Sequence, residues 1–177
     1  IDNTIVGGLA GDAITTGDEN VAIGKSSLSA NTESNRNVAI GDSALATMNI
    51  ASDTNAYNVA VGHEAGNDIT TGVQNTLVGG LAGDLLTDAD FNVAVGVSAL
   101  GSDTLGSQSV AVGKSALGTQ NFSSATNSLN VAVGYEAGLS VTTGIRNTLI
   151  GGLAGDALTD ADFNVAVGYN SLGSSTT

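Results

Sequence analysis

The chain has 177 residues with 17 Asp+Glu against 4 Lys+Arg, a formal net charge of −13. That balance argues against nucleic acid or an anionic membrane as partner, because both require positive charge. Hydrophobic residues reach 41% but aromatics only 3%, and Trp, Pro and Cys are absent, so the core must be thin, free of disulfides and built of Val, Ile, Leu and Ala. No apolar run approaches the roughly 18 residues of a membrane helix, and no signal peptide is evident. Ile1 stands where Met would, which suggests a fragment or processed product.

In chain order, the pattern Asn-x-x-(Val/Ile)-Gly opens ten modules, at Asn3, Asn20, Asn37, Asn58, Asn75, Asn92, Ser109, Asn130, Asn147 and Asn164. Their spacings are 17, 17, 21, 17, 17, 17, 21, 17 and 17, so four modules make a super-repeat of 72 residues. The segments Asn75 to Gly96 and Asn147 to Gly168 differ only at Val78/Ile150 and Leu85/Ala157. An enzyme site is needed once, whereas copying at a fixed period points to architecture. We read residues 1–177 as a single repeat array.

Within each module the second and fourth residues are β-branched and the fifth is always Gly, from Gly7 to Gly168. This is a short strand followed by a turn that needs positive φ or close backbone approach. A small residue stands three places after the Gly, then Leu or Gly, and an apolar residue returns later in most modules (Ile14, Met48, Ile69, Leu86, Val141, Leu158). The unit reads as a strand, a Gly turn, a second short extended segment and a polar return loop. A unit of 17 residues cannot bury a core alone. The expected fold is therefore all-β, a parallel β-solenoid or β-roll of about ten stacked coils, about 45–50 Å long.

The opening Asn has two readings: a side-chain ladder along the axis, or a cap on its own turn. The 21-residue modules, opening at Asn37 and Ser109, should bulge as loops on one face. The third residue is Ala in seven modules and Ile5, Leu77 or Leu149 in the others, and alternation suggests that it points out of the coil. Such a column would seek cover, which implies a homo-oligomer. Neither terminus reads as a polar cap, so end-to-end filament assembly is a further reading.

The "NVAIG" stretches at Asn20 and Asn37 and "NVAVG" at Asn58, Asn92, Asn130 and Asn164 resemble head repeats of trimeric autotransporter adhesins. "NVAVGVSAL" from Asn92 and "SVAVGKSALG" from Ser109 also resemble repeats of bacteriophage tail fibres. The coils here are longer than those of adhesin heads, and no neck, stalk or anchor is seen. The resemblance implies a homotrimeric structural fibre segment, virion-borne, extracellular or on the cell surface, giving a rigid rod and a face for a cell-surface glycan or receptor.

Candidate chemistry is thin. Asp88 and Asp90, Asp160 and Asp162, with Asp12, Asp84 and Asp156, suggest calcium, but an Asp-x-Asp loop supplies only part of the oxygens required. Solvated turn carboxylates that keep the rod soluble are the preferred reading. Glu64 and Asp68 could pair to hydrolyse a glycan, yet Glu136 recurs opposite Ser140, without the second acid. His63 lacks a nucleophile partner and Tyr135 replaces it in the later copy. "GGLAGD" lacks the Lys-Ser/Thr of a phosphate loop. Asn121 opens a lone "NFS" sequon, and the "TTG" at Thr15, Thr70 and Thr142 is too sparse for an ice-binding array. No catalytic, cofactor or metal residue is assigned and the chain is read as non-enzymatic. The competing reading is a glycan-binding or glycan-degrading tailspike segment with cation sites.

Overall fold

The computed structural model describes residues 2–173. It contains twelve short strands: β1 Thr4–Val6, β2 Val21–Ile23, β3 Val38–Ile40, β4 Val59–Val61, β5 Thr76–Val78, β6 Val93–Val95, β7 Gly106–Ser107, β8 Val110–Val112, β9 Thr126–Asn127, β10 Val131–Val133, β11 Thr148–Ile150 and β12 Val165–Val167. Ten of them form one parallel sheet in the order β1-β2-β3-β4-β5-β6-β8-β10-β11-β12. Equivalent residues pair at every step, as in Val21 with Val38 and Val38 with Val59. The fold is a parallel β-solenoid of about ten turns, each contributing one rung.

At the repeated Gly neighbouring rungs approach closely. Gly24, Gly96 and their equivalents have φ between 124° and 145°. A Cβ on Gly96 would stand 2.5 Å from the Gly113 carbonyl oxygen. Both conformation and space exclude any other residue.

Beyond the Gly the chain does not form the second extended segment expected from sequence. It runs through linked turns: Ala10 N–H donates to Gly7 O and Ile14 N–H to Gly11 O (3.4 and 3.1 Å). Two alternating turn positions are left-handed, Ser26 and Leu28 in one coil and Glu64 and Gly66 in another. Between the turns, parallel bonds to the next coil continue, for example Leu28 N–H to Ala44 O at 2.9 Å.

The third module residue corrects the sequence reading. Ala22, Ala39, Ala60, Leu77, Ala94, Ala111, Ala132 and Leu149 are fully buried, and only Ile5, at the first coil, is substantially exposed. The β-branched second and fourth residues face outward instead. The reason is volume. The thin interior is filled by the turn leucines Leu28, Leu45, Leu100 and Leu117, all fully buried, which leave room only for Ala on the strand opposite. Where the strand carries Leu, the turn residue becomes Gly: a Cβ on Gly83 would lie 2.9 Å from Leu77 Cδ2, and one on Gly155 2.6 Å from Leu149 Cδ2. Gly66, one coil earlier, yields to Leu77 as well. The 72-residue period is thus a packing unit.

The opening Asn serves both expected roles. Each Oδ1 accepts the backbone N–H of the equivalent residue one coil on, as Asn75 N–H to Asn58 and Asn92 N–H to Asn75 (both 2.9 Å). Each Nδ2 commonly donates to a return-loop carbonyl of its own coil, as Asn75 to Ala89 and Asn92 to Gly106 (2.8 and 2.9 Å). These amides are buried and satisfied, which a thin core requires.

The long coils loop out as expected. Residues 51–53 and 123–125 are exposed. Register then resumes, with Asn35 bridging Asn55 at the first insertion and β7 pairing with β9 at the second.

Candidate interaction face

Four of the carboxylates singled out for calcium, Asp88, Asp90, Asp160 and Asp162, accept hydrogen bonds from the rod itself. Asp88 Oδ1 accepts the hydroxyls of Thr70 and Thr71 (2.8 and 2.6 Å), which hold its carboxyl below the usual range. Asp90 accepts Val73 N–H and Asp162 accepts Ile145 N–H (2.8 and 2.7 Å). The second Asp of each Asp-x-Asp therefore ties its loop to the coil before. Asp160 accepts the Thr159 hydroxyl at 3.2 Å. Asp156 Oδ1 is enclosed without a hydrogen-bond partner. Among the described residues, no three His, Cys, Asp or Glu side chains are arranged to hold a metal ion.

Glu64, Asp68 and Asp84 come near one another. Burial, with the charges of Asp68 and Glu64 adding to it, raises the Asp84 carboxyl above its ordinary value. His63 is exposed, with Nδ1 3.7 Å from Glu64 Oε2. A polar recess of about 640 Å³ opens beside the first insertion, lined by Asp18, Glu19, Asn35, Arg36 and Asp53 among others. Its one cation is engaged within the rod: Arg36 Nε pairs with Glu19 Oε2 at 2.6 Å and its Nη1 donates to Tyr57 Oη at 2.9 Å. That pairing lowers the Glu19 carboxyl.

A buried polar cluster escaped the sequence reading. Asp103, Ser109, Gln120, Ser128 and Asn130 are all fully buried. Gln120 Nε2 donates to Asp103 Oδ2 (2.5 Å) and to Ser109 Oγ (3.1 Å), while Gln120 Oε1 accepts from Asn130 Nδ2 (2.8 Å). Asp103 Oδ1 accepts Gly106 N–H at 3.0 Å and Phe122 N–H at 3.4 Å. Burial raises the Asp103 carboxyl above its ordinary value, against the lowering effect of Gln120 and the backbone donors. Its sequence signal is that Asp103 and Gln120 stand where Ile69 and Leu86 stand in other modules. The cluster closes the interior and reaches no opening.

What the rod presents outward is its ten-stranded sheet. Outward side chains are Thr or Val at the first strand position and Val or Ile at the third, with no charge in either column. Two further columns flank this face. On one side lies the residue before each opening Asn, left-handed in nine successive coils from Glu19 (φ 55°) to Phe163 (φ 60°). On the other lies the residue after the repeated Gly, kept in step by bonds such as Ser43 N–H to Lys25 O and Glu136 N–H to Lys114 O (both 2.9 Å).

These two columns hold all four Lys and Arg of the chain (Lys25, Arg36, Lys114, Arg146) and its one His. They also hold five of its six aromatics: Tyr57, Phe91, Tyr135, Phe163 and Tyr169, each about half exposed or more. Only Phe122 is buried. Of the 17 acids, three (Asp2, Glu19, Asp42) lie there. Neighbours along a column stack, with Arg36 5.7 Å from the Tyr57 ring centre, Lys114 5.2 Å from Tyr135 and Arg146 5.3 Å from Phe163. The exposed aromatics thus border the Val and Ile columns of the sheet face, while the interior is packed with Leu, Met, Ile and Ala.

Compared with known proteins, the chain matches no family model, no curated protein and no solved structure.

Proposed function

We propose that this chain is a structural segment of an extracellular or virion-borne fibre, of the kind found in phage tail fibres and bacterial surface adhesins. It works without catalysis, as a rigid rod that self-associates and displays a surface for attachment to a cell-surface glycan or receptor. The observation that carries this reading is the uncharged β-branched sheet face, continuous over ten rungs and flanked by aromatic and basic columns. Stiffness follows from strands and buried amides that each bond to the coil above and below. Self-association follows from the apolar face, because a thin solenoid gains stability by covering it. The resemblance to adhesin heads favours three copies.

Light scattering of the purified chain tests the reading. The expected mass is a whole multiple, above one, of 17.3 kDa. Val95→Arg, which places a charge in the middle of the face, should shift the mass to a single copy while the far-ultraviolet spectrum stays β. A wild-type chain that stays at one copy at high concentration defeats the proposal.

A further inference from the structure

We infer that copies of this chain assemble side by side, parallel and at equal height, with the column before the opening Asn of one copy packed against the column after the Gly of the next. The inference rests on the self-association proposed above and specifies its geometry.

The two columns flank the same strand at every level, six positions apart in sequence, so each coil offers one residue at each edge. Rotation about an axis along the rod brings the first edge of one copy to the second edge of its neighbour at the same level, and closes the ring. The residues then meet by kind. Glu19 faces Lys25 and, one coil up, Arg36 faces Asp42: the charges are opposite in both and the order is reversed between them. Lys25 makes no ion pair within the chain among the described residues, so this contact gives it a counter-charge, Glu19, shared with Arg36 of that copy. Towards the other end Leu129 faces Tyr135 and Phe163 faces Tyr169, apolar against aromatic, with all four exposed in the single chain. No level sets like charges together.

Other arrangements lose this match. A fully overlapped antiparallel pair sets like columns against each other; it keeps one opposite pair, Glu19 with Arg146, but places Arg36 opposite Leu129, Asp42 opposite Tyr135 and His63 opposite Lys114. A shift of one coil in the parallel arrangement brings Glu19 against Asp42. Register is therefore written in the charged end of the rod, while the apolar end supplies area. This is the division between specificity and burial seen in other interfaces.

The absence of Cys permits a direct test by cross-linking. Phe91→Cys/Val97→Cys places one thiol on each edge of the same coil. The two stand at opposite ends of a strand, about 10 Å or more apart, too far to bridge within one copy. Under mild oxidation the double variant should convert most of the protein to a covalent closed ring on a non-reducing gel, whose mass gives the number of copies. Phe91→Cys alone and Val97→Cys alone should give less than a tenth of that product. Leu129→Cys/Tyr135→Cys repeats the test at a second level in case the first pair impairs folding. If the single variants cross-link as well as the double one, like columns meet and the inference falls. It falls too if wild-type scattering shows an oligomer while neither double variant cross-links. A monomeric wild type removes the fibre reading itself, so the two failures are distinguishable.

Discussion

The two wide coils, 37–57 and 109–129, occupy the same place in the super-repeat but fill their interiors with opposite chemistry. In the first, Met48 is fully buried and Asn58 Nδ2 lies 3.6 Å from its sulfur. In the second, Gln120 takes that place and accepts from Asn130 Nδ2. The change is one of a set: Asn37 becomes Ser109, Ala56 becomes Ser128 and Asn31 becomes Asp103. Ser109 lacks the amide that carries the ladder elsewhere, and Gln120 brings an amide in from the opposite wall. Ser128 bonds to Ser109 through its hydroxyl, and Asp103 accepts from Gln120. The interior tolerates polarity wherever every donor finds an acceptor.

The largest expected effect should leave the two coils alike. Gly41→Ala and Gly113→Ala each place a Cβ under 3.0 Å from a neighbouring Gly carbonyl, at φ of 139° and 132°. Each should lose about 4 kcal/mol or more in denaturant unfolding. Near-equal losses support a common backbone, and a twofold difference would show that one coil can open to accommodate the methyl.

The next effect should separate them. Asp103→Leu strips acceptors from Gln120 Nε2 and from the N–H groups of Gly106 and Phe122, and should cost about 3 kcal/mol. Asn31→Leu removes only the local bonds to Ser34 and should cost about half as much. Asp103→Leu/Gln120→Met, which brings in the residue types that Leu86 and Met48 supply at this position in other coils, should cost less than Asp103→Leu alone. A double variant worse than the single one would show that the cluster contributes beyond mutual satisfaction.

The solenoid, its coil boundaries and its super-repeat were legible in the sequence because Asn and Gly recur at fixed offsets for backbone reasons. The facing of the strands was not. Val-Ala-Val satisfies alternation whichever way it is turned, and β-branched residues ordinarily mark the inside. The discriminating signal was a compensation between distant positions: Leu77 with Gly83 and Leu149 with Gly155, against Ala94 with Leu100. Side chains that exchange volume share an interior, so the third residue had to be buried. The outer columns of cations and aromatics were also present in the sequence. They gained meaning only once the Val face, and not the Ala face, was seen to be exposed.

The smallest effect concerns pH and centres on Asp103, in the coil just before the second wide one. The folded-state value of Asp103 is raised, so the native chain binds that proton more tightly than the unfolded chain does. The carboxylate therefore destabilises the rod above its folded value. This penalty fades as pH falls through that value towards the ordinary carboxylate value near 4. Melting temperature should rise on mild acidification. The raised carboxyl of Asp84 acts in the same direction, and Asp88 opposes it only at lower pH, where its lowered carboxyl protonates. Asp103→Asn should melt lower than wild type at pH 7, because its NH2 must take the place of one acceptor and face either Gln120 Nε2 or the N–H groups of Gly106 and Phe122. It should also show a flatter slope between pH 7 and about 5. Asn31→Ala, in the first half, should leave that slope unchanged. Parallel wild-type and Asp103→Asn curves would mean that the buried carboxyl titrates as if it were in water, and that the polar filling of the second coil is less closed than its hydrogen bonds require.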